Sequence, residues 1–247
     1  ALEDEIVFQG ETTIAAFIME PILGAGGVIA PHESFMPAVR EICDRHGILL
    51  IADEVITAYG RTGAWSGSRL WGVMPDMMCT AKAITNGYFP FGALMLNCKV
   101  AEVFEKDTTG AGAIGSGYTY SGHPVGAAAA LACIAETKRL NVTENAAARG
   151  AQLFTGLKNL TAKHEIVGDV RGGYGLMSAV ELTSDRKTKA KPLKATVDAI
   201  YQQAYENGVM IRVSGPNIIL SPPLIISEAE VNAVIAALDA AFTAVGR

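Results

Sequence analysis

The chain has 247 residues, half of them hydrophobic and 18% charged, with a formal net charge of −5. That length suits one large domain or two smaller ones with a real core, and the acidic balance argues against nucleic acid as a partner. No apolar run reaches membrane-spanning length. The opening Ala1-Leu2-Glu3-Asp4-Glu5 lacks the basic and apolar regions of a signal peptide, so a cytoplasmic location is expected. Cys43, Cys79, Cys98 and Cys133 are widely spaced in apolar or helical surroundings. They read as buried free thiols, with no disulfide and no zinc site expected among them.

Along the chain, a polar helical end at 1–8 leads into a buried strand at 14–20, followed by Pro21 and the turn Gly24-Ala25-Gly26-Gly27. Phe35, Val39 and Ile42 have helical spacing within 34–46, with Ser34 a possible cap and Gly47 a stop. The runs I-L-L-I-A-D at 48–53 and D-M-M-C-T-A-K at 76–82 read as strands, as does 92–97, with a short helix at 99–105. The strand–helix–strand alternation implies a parallel α/β sheet. Residues 107–117 form a glycine-rich loop on composition alone. A long helix after Pro124 ends near Asn141, and a second runs from Thr143 to Lys163. Two strands are expected in 166–182 around Gly172-Gly173, a helix at 193–207, short strands at 209–213 and 217–221, and a closing amphipathic helix at 227–245. We place a domain boundary at 140, dividing 1–140 from a smaller α/β domain at 141–247.

Two of the apolar runs end on ionisable residues, Asp53 and Lys82. Short apolar runs suit strands buried on both faces of a parallel sheet, and ligands of such sheets sit beyond the carboxyl ends of the strands. The pattern therefore aims a carboxylate and an amine at one crevice. A lysine that forms a Schiff base and an aspartate that holds a pyridinium nitrogen are the minimum for pyridoxal phosphate chemistry.

The surrounding residues carry a family resemblance. Asp53-Glu54-Val55 followed by Gly60-Arg61-Thr62-Gly63 resembles the signature of the class III (omega) aminotransferases, and Lys82 lies in a segment similar to their lysine box, A-K-A-I-T-N-G-Y-F-P-F-G-A. Tyr118-Thr119-Tyr120-Ser121-Gly122-His123-Pro124 resembles the family's phosphate-side segment, and Arg212 with Pro222-Pro223-Leu224 its late arginine and P-P-L motif. The resemblance implies a type I pyridoxal phosphate-dependent transferase fold. It has a mostly parallel large domain, here represented by its C-terminal part, plus a small C-terminal α/β domain. It also implies pyridoxal 5′-phosphate as cofactor and transamination between an omega-amino acid or amine and a keto acid such as pyruvate. Family members carry a further N-terminal half with a phosphate loop and a ring-stacking aromatic residue. Nothing upstream of Glu20 matches either, so the chain is expected to be a C-terminal portion. Ala58 stands where the family often has glycine.

The resemblance also assigns the residues. Lys82, which by itself would read as a surface lysine, holds the cofactor, and desolvation is expected to favour its free amine. Asp53, otherwise a turn cap, pairs with the pyridinium nitrogen. Val55 packs on the ring. Thr119, otherwise a strand threonine, reaches the phosphate of the neighbouring subunit, which implies a homodimer with its site at the interface. His123 reads as a part of its turn. Arg212 clamps the substrate carboxylate through two parallel hydrogen bonds, against the alternative of an exposed strand-end arginine. Glu20 and Ala25, in E-P-I-L-G-A-G-G, lie near the substrate. An aminomutase, racemase or decarboxylase of the same fold would share these motifs. The rival from another class is a non-catalytic fragment lacking the N-terminal half.

Overall fold

The computed structural model describes residues 1–110 and 112–246, so position 111 of the glycine-rich loop lies outside the described residues. The chain divides into two compact units. One comprises Ala1–Pro21, Pro31–Tyr59 and Ser66–Arg139, the other Ile22–Ala30, Gly60–Trp65 and Leu140–Arg247.

The first unit contains, in chain order, α1 (Leu2–Gln9), β1 (Ala16–Met19), α2 (Phe35–His46), β2 (Leu49–Asp53), α3 (Gly67–Leu70), β3 (Met77–Thr80), β4 (Ala93–Leu96), α4 (Cys98–Glu105) and α5 (Pro124–Arg139). Its sheet has the order β1-β2-β3-β4. The first two pairings are parallel and β4 joins antiparallel, so the carboxyl ends of β1, β2 and β3 share one edge. Helix α2 buries Met36, Val39 and Cys43 at helical spacing, and each such apolar side chain contributes roughly 1.5–3 kcal/mol on full burial. It ends at Gly47, in the left-handed region at φ 66°, where the Ile48 N–H reaches back to the Cys43 carbonyl at 2.9 Å. Ser34 stands at the N-cap without a side-chain cap bond. Its hydroxyl lies 2.8 Å from His32 Nδ1 instead, so the expected cap is replaced by a local side-chain pair.

The second unit contains α6 (Val142–Lys163), β5 (Val167–Gly172), β6 (Ser178–Leu182), α7 (Lys194–Glu206), β7 (Arg212–Ser214), β8 (Asn217–Leu220) and α8 (Glu228–Val245). Its sheet is antiparallel throughout, in the order β5-β6-β8-β7. Leu153, Leu157 and Leu160 of α6, Val180 and Leu182 of β6, and Val231, Leu238 and Phe242 of α8 belong to its buried core. The Ser227–Glu230 capping box starts α8. The strand expected at 209–213 begins only at Arg212. The Val209 N–H closes α7 by bonding Ala204 O at 2.9 Å, and Gly208 N–H bonds Tyr205 O. This Schellman closure takes the donor that an earlier strand would need. Gly150 and Gly175 mark one close approach, since a Cβ on Gly150 would lie 1.9 Å from the Gly175 carbonyl oxygen.

All four cysteines are free, but the expectation that they are buried holds only for Cys43. Cys79 and Cys133 are partly exposed and Cys98 is exposed. Cys98 opens α4, directly after the capping Asn97, whereas Val100 in the same turn is buried.

Candidate active site

Asp53 is the last residue of β2, and its Cα pairs with Cys79 of β3. It is partly exposed, and Oδ1 accepts the Val55 N–H at 3.1 Å. Beyond Asp53 the chain turns, placing Val55 partly exposed in the turn and Glu54 inside at 1% exposure. The Glu54 carboxylate accepts the Thr57 hydroxyl at 2.5 Å and the N–H groups of Gly67 and Ser68, each at 2.7 Å. Those are first-turn donors of α3, which otherwise lack partners in a helix. Adjacent acids in Asp53-Glu54 therefore do different work. Glu54 builds the floor of the turn, and Asp53 stays at the sheet edge.

Lys82 follows β3 by two residues and opens a 3-10 turn, Lys82–Ile84. Its φ is 47°, a left-handed conformation unusual for lysine, which persists only where the surroundings impose it. The next left-handed pair, Asn86 and Gly87, uses residue types that tolerate this region. The Thr85 hydroxyl donates to Phe89 O at 2.7 Å and closes the loop. The turn packs against α5, where Gly126 lets Phe89 and Phe91 approach. A Cβ there would stand 2.6 Å from Phe91 Cδ2. Lys82 is exposed in this chain, so the described residues do not supply the desolvation expected for its amine. Cys79, paired with Asp53 across the strands, has its thiol pushed up by burial and then by the charge of Asp53.

Thr119 is exposed and sits in a turn, not a strand. The turn is held by the Ser121 N–H on Tyr118 O and the Tyr118 N–H on Ser121 Oγ, both at 2.9 Å. His123 Nδ1 accepts the Val125 N–H at 3.3 Å, and its ring centroid lies 5.1 Å from that of Phe89. Glu20 follows β1 at the same sheet edge as Asp53 and is partly exposed.

Asp53, Val55, Lys82, Thr119 and Glu20 thus all belong to the first unit, whereas Ala25 and Arg212 belong to the second. Ala25 is exposed in the turn at 24–27, whose flanks are bridged between Leu23 and Ile29. Arg212 is the exposed first residue of β7. It borders a hollow of about 550 Å³ lined by Tyr201, Met210, Leu220, Pro222 and Pro223 among others.

Three residues that the sequence reading left unassigned organise these positions. Glu54 is one. Arg61 is another: its Nη1 donates to Leu176 O at 3.0 Å and Pro222 O at 2.7 Å, while its own carbonyl accepts the Leu176 N–H at 3.0 Å. It ties the G-R-T-G segment to the P-P-L segment, and desolvation pulls its guanidinium down to about 10. The third is Arg171, on β5, which holds the turn carrying Ala25. Membership of a motif was the only available signal for Glu54 and Arg61, and Arg171 had none. Among the described residues no group of three or more His, Cys, Asp or Glu could hold a metal ion, and no helix is long and apolar enough to cross a membrane.

A strand-end aspartate and a post-strand lysine stand on adjacent parallel strands, as the class III resemblance implies. The chain belongs to the class-III aminotransferases, whose family model matches residues 2–242. Pyridoxal 5′-phosphate is the cofactor of that family. The chain is 39% identical over 235 residues to the putrescine–pyruvate aminotransferase of Pseudomonas aeruginosa, covering 95% of this chain and 50% of the relative. To the taurine–pyruvate aminotransferase of Bilophila wadsworthia it is 38% identical over 252 residues, covering 99% of this chain and 55% of the relative. Among solved structures, an amine transaminase from an uncultivated Pseudomonas species in its pyridoxal phosphate-bound form matches with a TM-score of 0.95 and 47% identity, over 99% of this chain and 55% of that one. The fold is therefore that of the type I pyridoxal phosphate-dependent transferases. The chain spans about half the length of the curated relatives it matches.

Proposed function

We propose that the whole protein is a pyridoxal phosphate-dependent aminotransferase that moves an amino group from an omega-amino acid or amine to a keto acid such as pyruvate. One observation carries this reading: Asp53 and Lys82 leave neighbouring parallel strands at one sheet edge, in a chain of the class III family. The putrescine–pyruvate and taurine–pyruvate transfers for which its relatives are named support the same substrate class.

The residues present fit the cofactor by their chemistry. They provide an amine for its aldehyde, a carboxylate for its ring nitrogen, an apolar side chain for its ring face and a hydroxyl with an N–H for its phosphate. When bound, the cofactor supplies an electron sink for the carbon that bears the amino group. Lys82 Nζ would hold the cofactor and, once free, would carry the proton from the amine-bearing carbon to the cofactor's own aldehyde carbon, and back again when the keto acid is aminated. Asp53 keeps the ring nitrogen protonated, and the Val55 N–H on Oδ1 orients its carboxylate. Val55 covers the ring face. Thr119 binds the phosphate in the neighbouring subunit, so the working unit is a homodimer. The exposure of Tyr118 at 88% and Tyr120 at 76% supports this, because aromatic surface of that kind suits a partner's cover. Arg212 clamps the substrate carboxylate, with Glu20 and Ala25 on the substrate side. Free thiols suit a reducing compartment, and we place the protein in the cytoplasm.

The test is Lys82→Ala in the whole protein. Alanine production from pyruvate and an amine should fall to background, and borohydride should fix no cofactor to the protein. Borohydride-fixed cofactor at wild-type stoichiometry would remove Lys82 from this role. Loss of amine without formation of alanine, in the unaltered protein, would replace transamination by another reaction of the same fold.

A further inference from the structure

We infer that Arg171 is a positioning residue that sets the shape of the turn at 24–27 and thereby the range of amines accepted. The inference rests on the reading that places Ala25 on the substrate side. Arg171 Nη1 donates to Glu181 Oε2 at 2.5 Å and to Asp169 Oδ2 at 3.1 Å, while Nη2 donates to Asn217 Oδ1 at 2.6 Å. Glu181 is on β6 and Asn217 opens β8, so the guanidinium is fixed across three adjacent strands. The remaining donor, Nε, reaches outside the sheet to the Gly27 carbonyl at 2.8 Å.

Leu23 and Ile29 exchange two backbone bonds at 3.0 and 2.9 Å, but the Gly24 carbonyl receives Gly27 N–H and Val28 N–H only at 3.3 and 3.2 Å. Gly27 takes φ 116°, and a Cβ there would stand 3.0 Å from Arg171 Nη2 and 3.3 Å from Asn217 Cγ. The backbone of the turn therefore lies directly against the clamp, two residues from Ala25. Two acids beside the guanidinium strengthen its hydrogen bonds, and its planar fork is what allows one side chain to hold a strand acid, a strand amide and a turn carbonyl at once. A lysine ammonium keeps the charge and loses the fork.

The experiment compares Arg171→Met, Arg171→Lys and Ala25→Val in the cofactor-loaded whole protein. It measures kcat and KM for β-alanine and for 1-phenylethylamine with pyruvate, together with hydrogen exchange of the 22–30 peptide. Losing a charge-assisted bond should shift the kcat/KM ratio of the two amines by about tenfold in both Arg171 variants, mainly through KM. Exchange at 22–30 should rise and exchange at 178–182 should not. Arg171→Lys should melt like the wild type yet select like Arg171→Met, which a merely structural ion pair would not produce. A ratio within twofold of wild type in the Arg171 variants, with Ala25→Val shifting it, overturns the role of Arg171. An unchanged ratio in Ala25→Val overturns instead the placement of Ala25, and the link to selectivity falls with it. If Arg171→Met does not fold, Asn217→Ala removes one anchor of the fork and should produce the same two changes; its failure to do so overturns the proposal.

Discussion

Asp53 and Asp76 stand at opposite ends of the same sheet, one carboxylate left open and the other taken up by the fold. Asp76, 4% exposed, precedes β3. Its Oδ2 accepts Arg40 Nη1 at 2.7 Å and Leu50 N–H at 2.8 Å, and its Oδ1 accepts Asn97 Nδ2 at 3.0 Å. Burial alone would raise its pKa, but the Leu50 N–H, the Arg40 guanidinium and Asn97 together outweigh that and hold it below the usual carboxylate range. Its lone pairs are engaged by the fold, which uses it to register the amino ends of β2 and β3. Asp53 is partly exposed, with Oδ1 on the Val55 N–H, and keeps acceptor capacity for a group that the chain does not itself provide. The two ends share residue type and strand context. They differ in what surrounds the carboxylate.

Asp53→Asn should sharpen this most. An amide cannot keep the ring nitrogen protonated, so single-turnover proton removal should slow by roughly 10²-fold or more, with the melting temperature little changed. Wild-type single-turnover rates would break the contrast at its functional end. Asp76→Ala should do the reverse. Removing one partner of a buried pair costs about 3 kcal/mol, the low end of the usual range, because Asp44 still pairs with Arg40 at 2.7 Å. Denaturant unfolding should show the loss, while turnover per folded molecule stays near normal.

Arg212→Ala extends the contrast to the second unit, where Arg212 is exposed and Asp53 of the first unit only partly so. Loss of a bidentate, charge-assisted pair should weaken pyruvate and β-alanine by roughly 1.5–3 kcal/mol and leave a simple arylalkylamine unaffected. Separate half-reactions would reveal equal losses, and equal losses would make Arg212 a supporting residue. Glu54→Gln tests the immediate neighbour of Asp53. An amide nitrogen facing the Gly67 or Ser68 N–H should cost about 1.5 kcal/mol in unfolding experiments. A change in rate without a change in stability would mean that Glu54 shares the chemistry.

The smallest effect is in pH. Asp76 has its pKa lowered by folding, so its contribution is complete above the unfolded value of about 3.9 and fades as pH falls through the folded value. The stability gap between wild type and Asp76→Ala should be constant from neutral pH to about 5 and narrow below about 4. A gap that persists in acid would show that packing, not the charge, anchors the amino ends of the strands.

The sequence by itself determined which runs form the strands of the edge that carries Asp53 and Lys82. The apolar runs ending at Asp53 and before Lys82 form strands as expected, but not with both faces buried: alternate residues of β2 and three of the four in β3 are only partly buried in this chain. The turn residues after them, Asn86-Gly87 above all, tolerate the left-handed backbone they adopt. The helix stop at Gly47 was legible for the same local reason. Tertiary structure decided everything that depends on partners distant in the chain. Glu54 and Asp53 are adjacent acids, and α3, 13 residues on from Glu54, supplies the donors that hold Glu54 inside. Asp76 becomes structural through Arg40, 36 residues before it, and Arg171 reaches back 144 residues to Gly27. β7 starts late because the Schellman closure of α7 takes the Val209 N–H. Cys98 is exposed on α4 while Val100, two residues on, is buried. Local periodicity records which residues want burial, but a carboxylate's work is set by the donors that folding brings to it, and those are recorded elsewhere in the chain.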